Sequence, residues 1–202
     1  MNNYYKMNYD METYDELLEN QEPYIYSDTC NIGEIEVKGV KKGFFNNIIL
    51  KNYIDFPWPR VEFYYDSKES NKESDFLGNV ARWPIVHKNV MDMIISNQIQ
   101  GISFFPVYLI DNRTKKVNLN YYLLFIHNFI DAFDMEKSQY KYNQKFDFYT
   151  FIPKKTFINT PNCLGYDIFR ADKSPSMMFV SEKLKTIIEE SRFTGFAFSK
   201  QE

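Results

Sequence analysis

Residues 103–126 constrain the fold more than any other part of this chain. SFFPVYLID (103–111) and VNLNYYLLFI (117–126) are apolar, aromatic and β-branched runs, the residue types that fit a pleated, packed surface. Between them DNRTKK (111–116) is polar and turn-forming. The pattern predicts an antiparallel hairpin. Its second strand runs on into HNFIDAFDMEKS, where Tyr122, Ile126, Phe129, Ile130 and Phe133 also fit a helical stripe. The turn before it and the β-branched content favour a strand through about His127 with an irregular exit.

Other strands are expected at YIYS (24–27), EIEVKGV (34–40), NNIILKNY (46–53), VEFYYD (61–66), KFDFYTFIP (145–153), GYDIFR (165–170), SMMFVS (176–181) and TGFAFSK (194–200). DFPWPR (55–60) is rigid and extended, because prolines flank Trp58. SKESNKESD (67–75) is polar and low in complexity, a mobile loop by composition. Three helices are expected. Met11–Asn20 would put Tyr14, Leu17 and Leu18 on one face, ending before Pro23. Residues 89–100 group Val90, Ile94 and Ile95, with Asn89 as cap and Gly101 as stop. The last helix has Ser181 as N-cap, Glu182 at the positive end of its dipole, and Leu184, Ile187 and Ile188 as its apolar stripe. Strands surround a few helices without a βαβ rhythm. The class is therefore α+β, with a mixed, mostly antiparallel sheet and a few short helices.

At 202 residues the chain is long enough for one domain, or one domain with a small appendage. A strand-rich region, 1–82, is expected to pack on the same domain as 83–202. Lys and Arg number 24 against 27 Asp and Glu, and no cluster of cations suggests phosphate binding, so nucleic acid is not an expected partner. The start, MNNYYKMNYDMETYDELL, has neither a basic opening nor an apolar stretch, and no apolar run reaches membrane-spanning length. A cytoplasmic protein is expected, with Cys30 and Cys163 as free thiols.

Candidate chemistry is sparse. His127, Asp131 and Asp134 would share a helical face and could hold a metal for a hydrolase or transferase. A histidine hydrogen-bonded to backbone explains His127 as well. Asp134 and Glu136 could be paired carboxylates, but neighbours at i and i+2 point apart, and an Asp134 that accepts bonds within its own turn is the stronger reading. Cys163 sits in the turn-like TPNCLGYD without the surroundings of a cysteine hydrolase. No metal, cofactor or catalytic residue is expected.

The order FFPVYLID, NYYLLFIHNFIDAFDMEKS, GYDIFR and MMFVSEKLKTIIEESRFTGFAF, over roughly 83–198, resembles a family of immunity proteins from bacterial polymorphic toxin systems, immunity-protein family eleven. The resemblance implies a protein that binds a cognate toxin and blocks it by occlusion, with no catalysis of its own. A protein-binding adaptor outside any toxin system is the alternative. The positions that carry the resemblance are Asp134, Glu136, Ser138, Phe169, Arg170, Ser181, Leu184 and Gly195. A motif shared by proteins facing different toxins is expected to hold the fold. Toxin contact is therefore expected elsewhere, at Trp58, Tyr64, Tyr65 and Trp83, with Asp66, Glu69, Glu73 and Asp75 supplying negative charge. Core packing is an equal alternative for the two tryptophans.

Overall fold

The computed structural model describes residues 3–12, 24–70, 72–145, 147–152 and 155–201. Fourteen strands follow one another: β1 Tyr4–Tyr9, β2 Tyr26–Ser27, β3 Thr29–Cys30, β4 Glu62–Tyr65, β5 Phe76–Asn79, β6 Ile85–His87, β7 Ile102–Asp111, β8 Val117–Ile126, β9 Phe129–Ile130, β10 Tyr140–Asn143, β11 Phe148–Phe151, β12 Ile168–Ala171, β13 Ser174–Ser181 and β14 Phe196–Lys200. A 3-10 helix spans Phe44–Leu50, and the α-helices are α1 Lys88–Ser96, the single turn α2 Thr160–Cys163, and α3 Glu182–Glu190. The chain is α+β, as its pattern predicts.

The predicted hairpin is the centre of the larger sheet. β7 and β8 pair antiparallel from Ile102 opposite Ile126 to Ile110 opposite Val117, with an irregularity between Val107 and Leu109. Asp111 fixes the turn: its carboxylate accepts from the Thr114 hydroxyl (2.5 Å) and the Arg113 amide (3.0 Å). Around this hairpin the strand order is β2-β5-β6-β8-β7-β4-β3, with β2–β5 and β4–β7 parallel and the other pairs antiparallel. Tyr121, Leu123 and Phe125 pack with Phe45, Ile48, Phe63 and Trp83 on one face. Leu124 and Ile126 join a different cluster on the other. Burial on both faces explains why YYLLFI is continuously apolar and does not alternate.

The second sheet has the order β14-β1-β13-β12-β9. Met7, Ile168, Met178 and Val180 from one of its faces meet Val86, Leu124 and Ile126 of the larger sheet, with Val90 and Ile94 of α1 and Leu184 and Ile188 of α3 completing that cluster. Its opposite face puts Tyr4, Phe169 and Phe179 against Phe133, Phe151 and Cys163. β1 lies between β13 and β14, antiparallel to both. β1 is thus an inner strand of a sheet whose other strands all come from residues 129–200. β10 and β11 form a separate two-stranded ribbon.

Local expectations hold where the signal is local. Ser181 caps α3, its hydroxyl accepting from the Leu184 amide at 3.2 Å. Several others need correction. NNIILKNY is mainly the end of the 3-10 helix. Gly43 turns the chain at φ 76, and Phe45 and Ile48, three apart, bury the eclipsed face of such a helix. EIEVKGV forms turns and irregular backbone. The cap of α1 is His87, whose Nδ1 accepts from the Asn89 amide at 3.3 Å. Val90 and Ile94 are buried, whereas Ile95 is 58% exposed. The described part of the 67–75 loop is pinned, with Ser70 and Ser74 buried. The helix expected at Met11–Asn20 lies, beyond Glu12, outside the described residues.

Candidate functional site

His127 stands just past β8, and both ring nitrogens are engaged. Nδ1 lies 3.0 Å from the Asn52 carbonyl and Nε2 lies 2.8 Å from the Ser103 hydroxyl. A carbonyl only accepts, so Nδ1 carries the proton and Nε2 accepts from Ser103. Asp131 is exposed and paired with Lys173 at 2.5 Å. Asp134 accepts from the amides of Glu136 (3.2 Å) and Lys137 (3.1 Å), and Lys137 Nζ sits 2.8 Å away. That ammonium, with the Lys137 and Glu136 amides, holds the Asp134 carboxyl below its ordinary pKa. The three candidate ligands thus have three separate sets of partners. Among the described residues no three His, Cys, Asp or Glu side chains converge as a metal would require. Cys163 is buried, and burial pushes its thiol up to about 12, the wrong direction for a nucleophile.

Of the residues that carry the family resemblance, all but Glu136 lie in the core or are engaged in turns and caps. Glu136 is exposed, its amide bonded to Asp134. Ser138 is buried, donates to the Phe157 carbonyl at 3.3 Å and accepts from the Phe157 amide at 2.9 Å. Phe169 and Leu184 are fully buried. Arg170 is buried too. Its Nη1 donates to the Pro175 carbonyl at 2.8 Å, its Nε finds no acceptor, and burial pulls its pKa down to about 10. Gly195 adopts φ 83 beside β5, where a Cβ would meet the Phe76 carbonyl oxygen at 2.4 Å.

Comparison with protein families matches residues 4–202 to the one described as Immunity protein family (Imm11). The chain belongs to the Imm11 immunity protein family. The match extends the 83–198 resemblance to nearly the full chain, in keeping with the insertion of β1 between β13 and β14. No curated protein matches the chain. No helix among the described residues is long and apolar enough to cross a membrane.

An immunity protein works through its surface, so the accessibility of each proposed contact decides its weight. Trp83 is 2% exposed and packs against Phe63 and Trp58 in the core of the larger sheet. It is a core residue, not a surface anchor. Trp58 is half-buried, stacks 4.5 Å from Phe105 and donates its indole N–H to the Pro106 carbonyl at 2.8 Å. Tyr64 is half-buried and donates to Glu62, which pushes its hydroxyl up to about 12. Tyr65 is half-buried as well, and burial raises its pKa.

The acidic candidates divide in the same way. Asp75 accepts from the Thr194 amide (2.9 Å) and hydroxyl (3.0 Å), joining the 67–75 loop to the approach of β14. Asp66 caps its own turn through the Lys68 amide. Glu73 accepts from Asn118 at 2.8 Å. Both Glu69 and Glu73 are exposed.

Exposed aromatic residues on both sides of one ribbon have no place among these candidates. On the β10–β11 ribbon Tyr140, Tyr142 and Phe148 are 38%, 47% and 48% exposed. The sequence signal is weak: YKYN alternates aromatic and polar residues, FYTF does not, and QKFD lies between them.

Proposed function

We propose that this protein neutralises a single cognate toxin by forming a tight, stoichiometric complex that covers the toxin's active surface, without catalysis. Membership of the immunity family over residues 4–202 carries this reading. The engagement of His127, Asp131 and Asp134 with separate structural partners supports it, because none of the three is left poised toward a shared substrate. The partner is a protein, and the site of action is the cytoplasm, where the free thiols of Cys30 and Cys163 stay reduced.

Co-expression with the toxin domain encoded beside this gene tests the proposal. Growth should be restored, and the two purified proteins should run as a complex of defined ratio in size-exclusion chromatography with light scattering. Continued toxicity together with two separately eluting proteins would overturn it.

A further inference from the structure

We propose that the β10–β11 hairpin is the arm that seats this protein on an acidic face of its toxin; the assignment rests on the immunity reading. The argument begins with charge. Lys137 is paired with Asp134, and beyond it residues 138–155 contain four lysines, at 141, 145, 154 and 155, and one carboxylate, Asp147, for a net charge of +3. The whole chain is −3, so the remainder is −6. The ribbon and its flanks are a cationic segment on an anionic protein. Complementary potentials of this kind steer encounter and exclude wrong partners.

The side chains suit an interface. Paired residues of an antiparallel ribbon share a face, so the register Tyr140–Phe151 and Tyr142–Tyr149 stacks four aromatic rings on one side. Tyr142 and Tyr149 are 4.7 Å apart, and Tyr140 and Tyr149 are 5.4 Å apart. Lys141, Asn143, Phe148 and Thr150 form the other side, and all four are exposed. Tyrosine and phenylalanine are the residues that anchor protein interfaces, and they lose little side-chain freedom on binding.

An isolated two-stranded ribbon is marginal in water, and this one is held at both ends. At its base Phe151 is 5% exposed, with its ring 3.9 Å from Phe133. At its tip Asn143 accepts from the Lys145 amide at 3.1 Å, and the Tyr142 hydroxyl donates to Asp147 at 2.8 Å. Asp147 takes φ 47, a conformation that Asp and Asn tolerate better than other side chains. The exposed rings are therefore presented in a fixed arrangement, which lowers the ordering cost of binding.

The test uses the full chain and the toxin domain encoded beside this gene, with binding followed by calorimetry and by association kinetics. Tyr142→Ala with Phe148→Ala should weaken affinity about 30-fold or more, the scale set by two interface anchors. Lys141→Glu with Lys155→Glu should slow association and reduce its sensitivity to salt. Glu69→Lys with Glu73→Lys should do neither. Lys141, Phe148 and Lys155 are exposed, so Lys141→Glu with Lys155→Glu should keep the wild-type melting temperature. Because Tyr142 also ties the tip to Asp147, Phe148→Ala alone, which keeps that bond, should weaken affinity too. Affinity within threefold of wild type for both hairpin variants would overturn the assignment while leaving the immunity reading in place. Failure of the wild type itself to bind would remove both. A wild-type dimer that the hairpin substitutions dissociate, with toxin affinity unchanged, would show that the hairpin serves a second copy of this chain and would also overturn it.

Discussion

Gly195 and Asp111 show how single residues set the geometry of whole elements. Gly195 combines φ 83 with a carbonyl oxygen 2.4 Å from where a Cβ would sit. Gly195→Ala would therefore pay both for a left-handed backbone and for moving β5 away. The expected loss is about 3 kcal/mol, read from the midpoint of urea unfolding; an unchanged midpoint would mean that the loop relaxes freely. Asp111 is held ionised by the Thr114 hydroxyl, the Arg113 amide and the Ser67 amide, and its pKa lies well below the usual carboxylate range. In the unfolded chain the same carboxyl titrates near pH 4, at about 3.9. Its folded pKa is the lower of the two, so its contribution is complete above the unfolded value and drains away as pH falls from there toward the folded one. Between about pH 5 and pH 2 the melting temperature of wild type should therefore fall more steeply than that of Asp111→Asn. Parallel profiles would show that the turn gains nothing from the charge.

Elements differ in how far their sequences announce them. The β7–β8 hairpin and the Ser181 cap of α3 were legible because the contacts that start them are local: Asp111 with Arg113 and Thr114 in the turn, Ser181 with Leu184 in the cap. β1 was not, because YYKMNY is half polar and its partners are 170 or more positions away at β13 and β14. The Ile48–Leu50 run was misread for another reason. A short apolar run fits a buried strand or a helical turn equally well, and Gly43 with the Phe45–Ile48 spacing decided it. The importance of β1 can be measured directly. Met7 is 1% exposed in the cluster between the sheets. A chain without residues 1–10 would leave β13 and β14 unpaired along their inner edges and Met7's place empty. It should lose its cooperative thermal transition and precipitate; a variant that stays soluble and melts like wild type would show that the second sheet closes without β1.

For the molecule as a whole, the class and the family were legible, while the candidate surface was only half so. The family shows in the order of its motifs, and those motifs prove to be core, cap and turn residues such as Phe169, Ser181 and Gly195. A surface gives no comparable signal, because exposure depends on which distant elements cover a residue. Trp83 and Asp75 looked available in the sequence, yet the structure spends one on the core and the other on Thr194. Tyr142 and Phe148 carry no mark in the sequence that separates them from core aromatics, and both are about half exposed.

The pairing of β1 with β13 and β14 also sets a timetable. The strand is made before its neighbours and waits through the synthesis of some 160 residues until they exist. No truncated product that stops short of β13 can close the second sheet, and the long loop this closure demands makes it a slow, late step. Half-made chains thus lack the second sheet altogether, and only a finished molecule carries both faces of the core between the sheets.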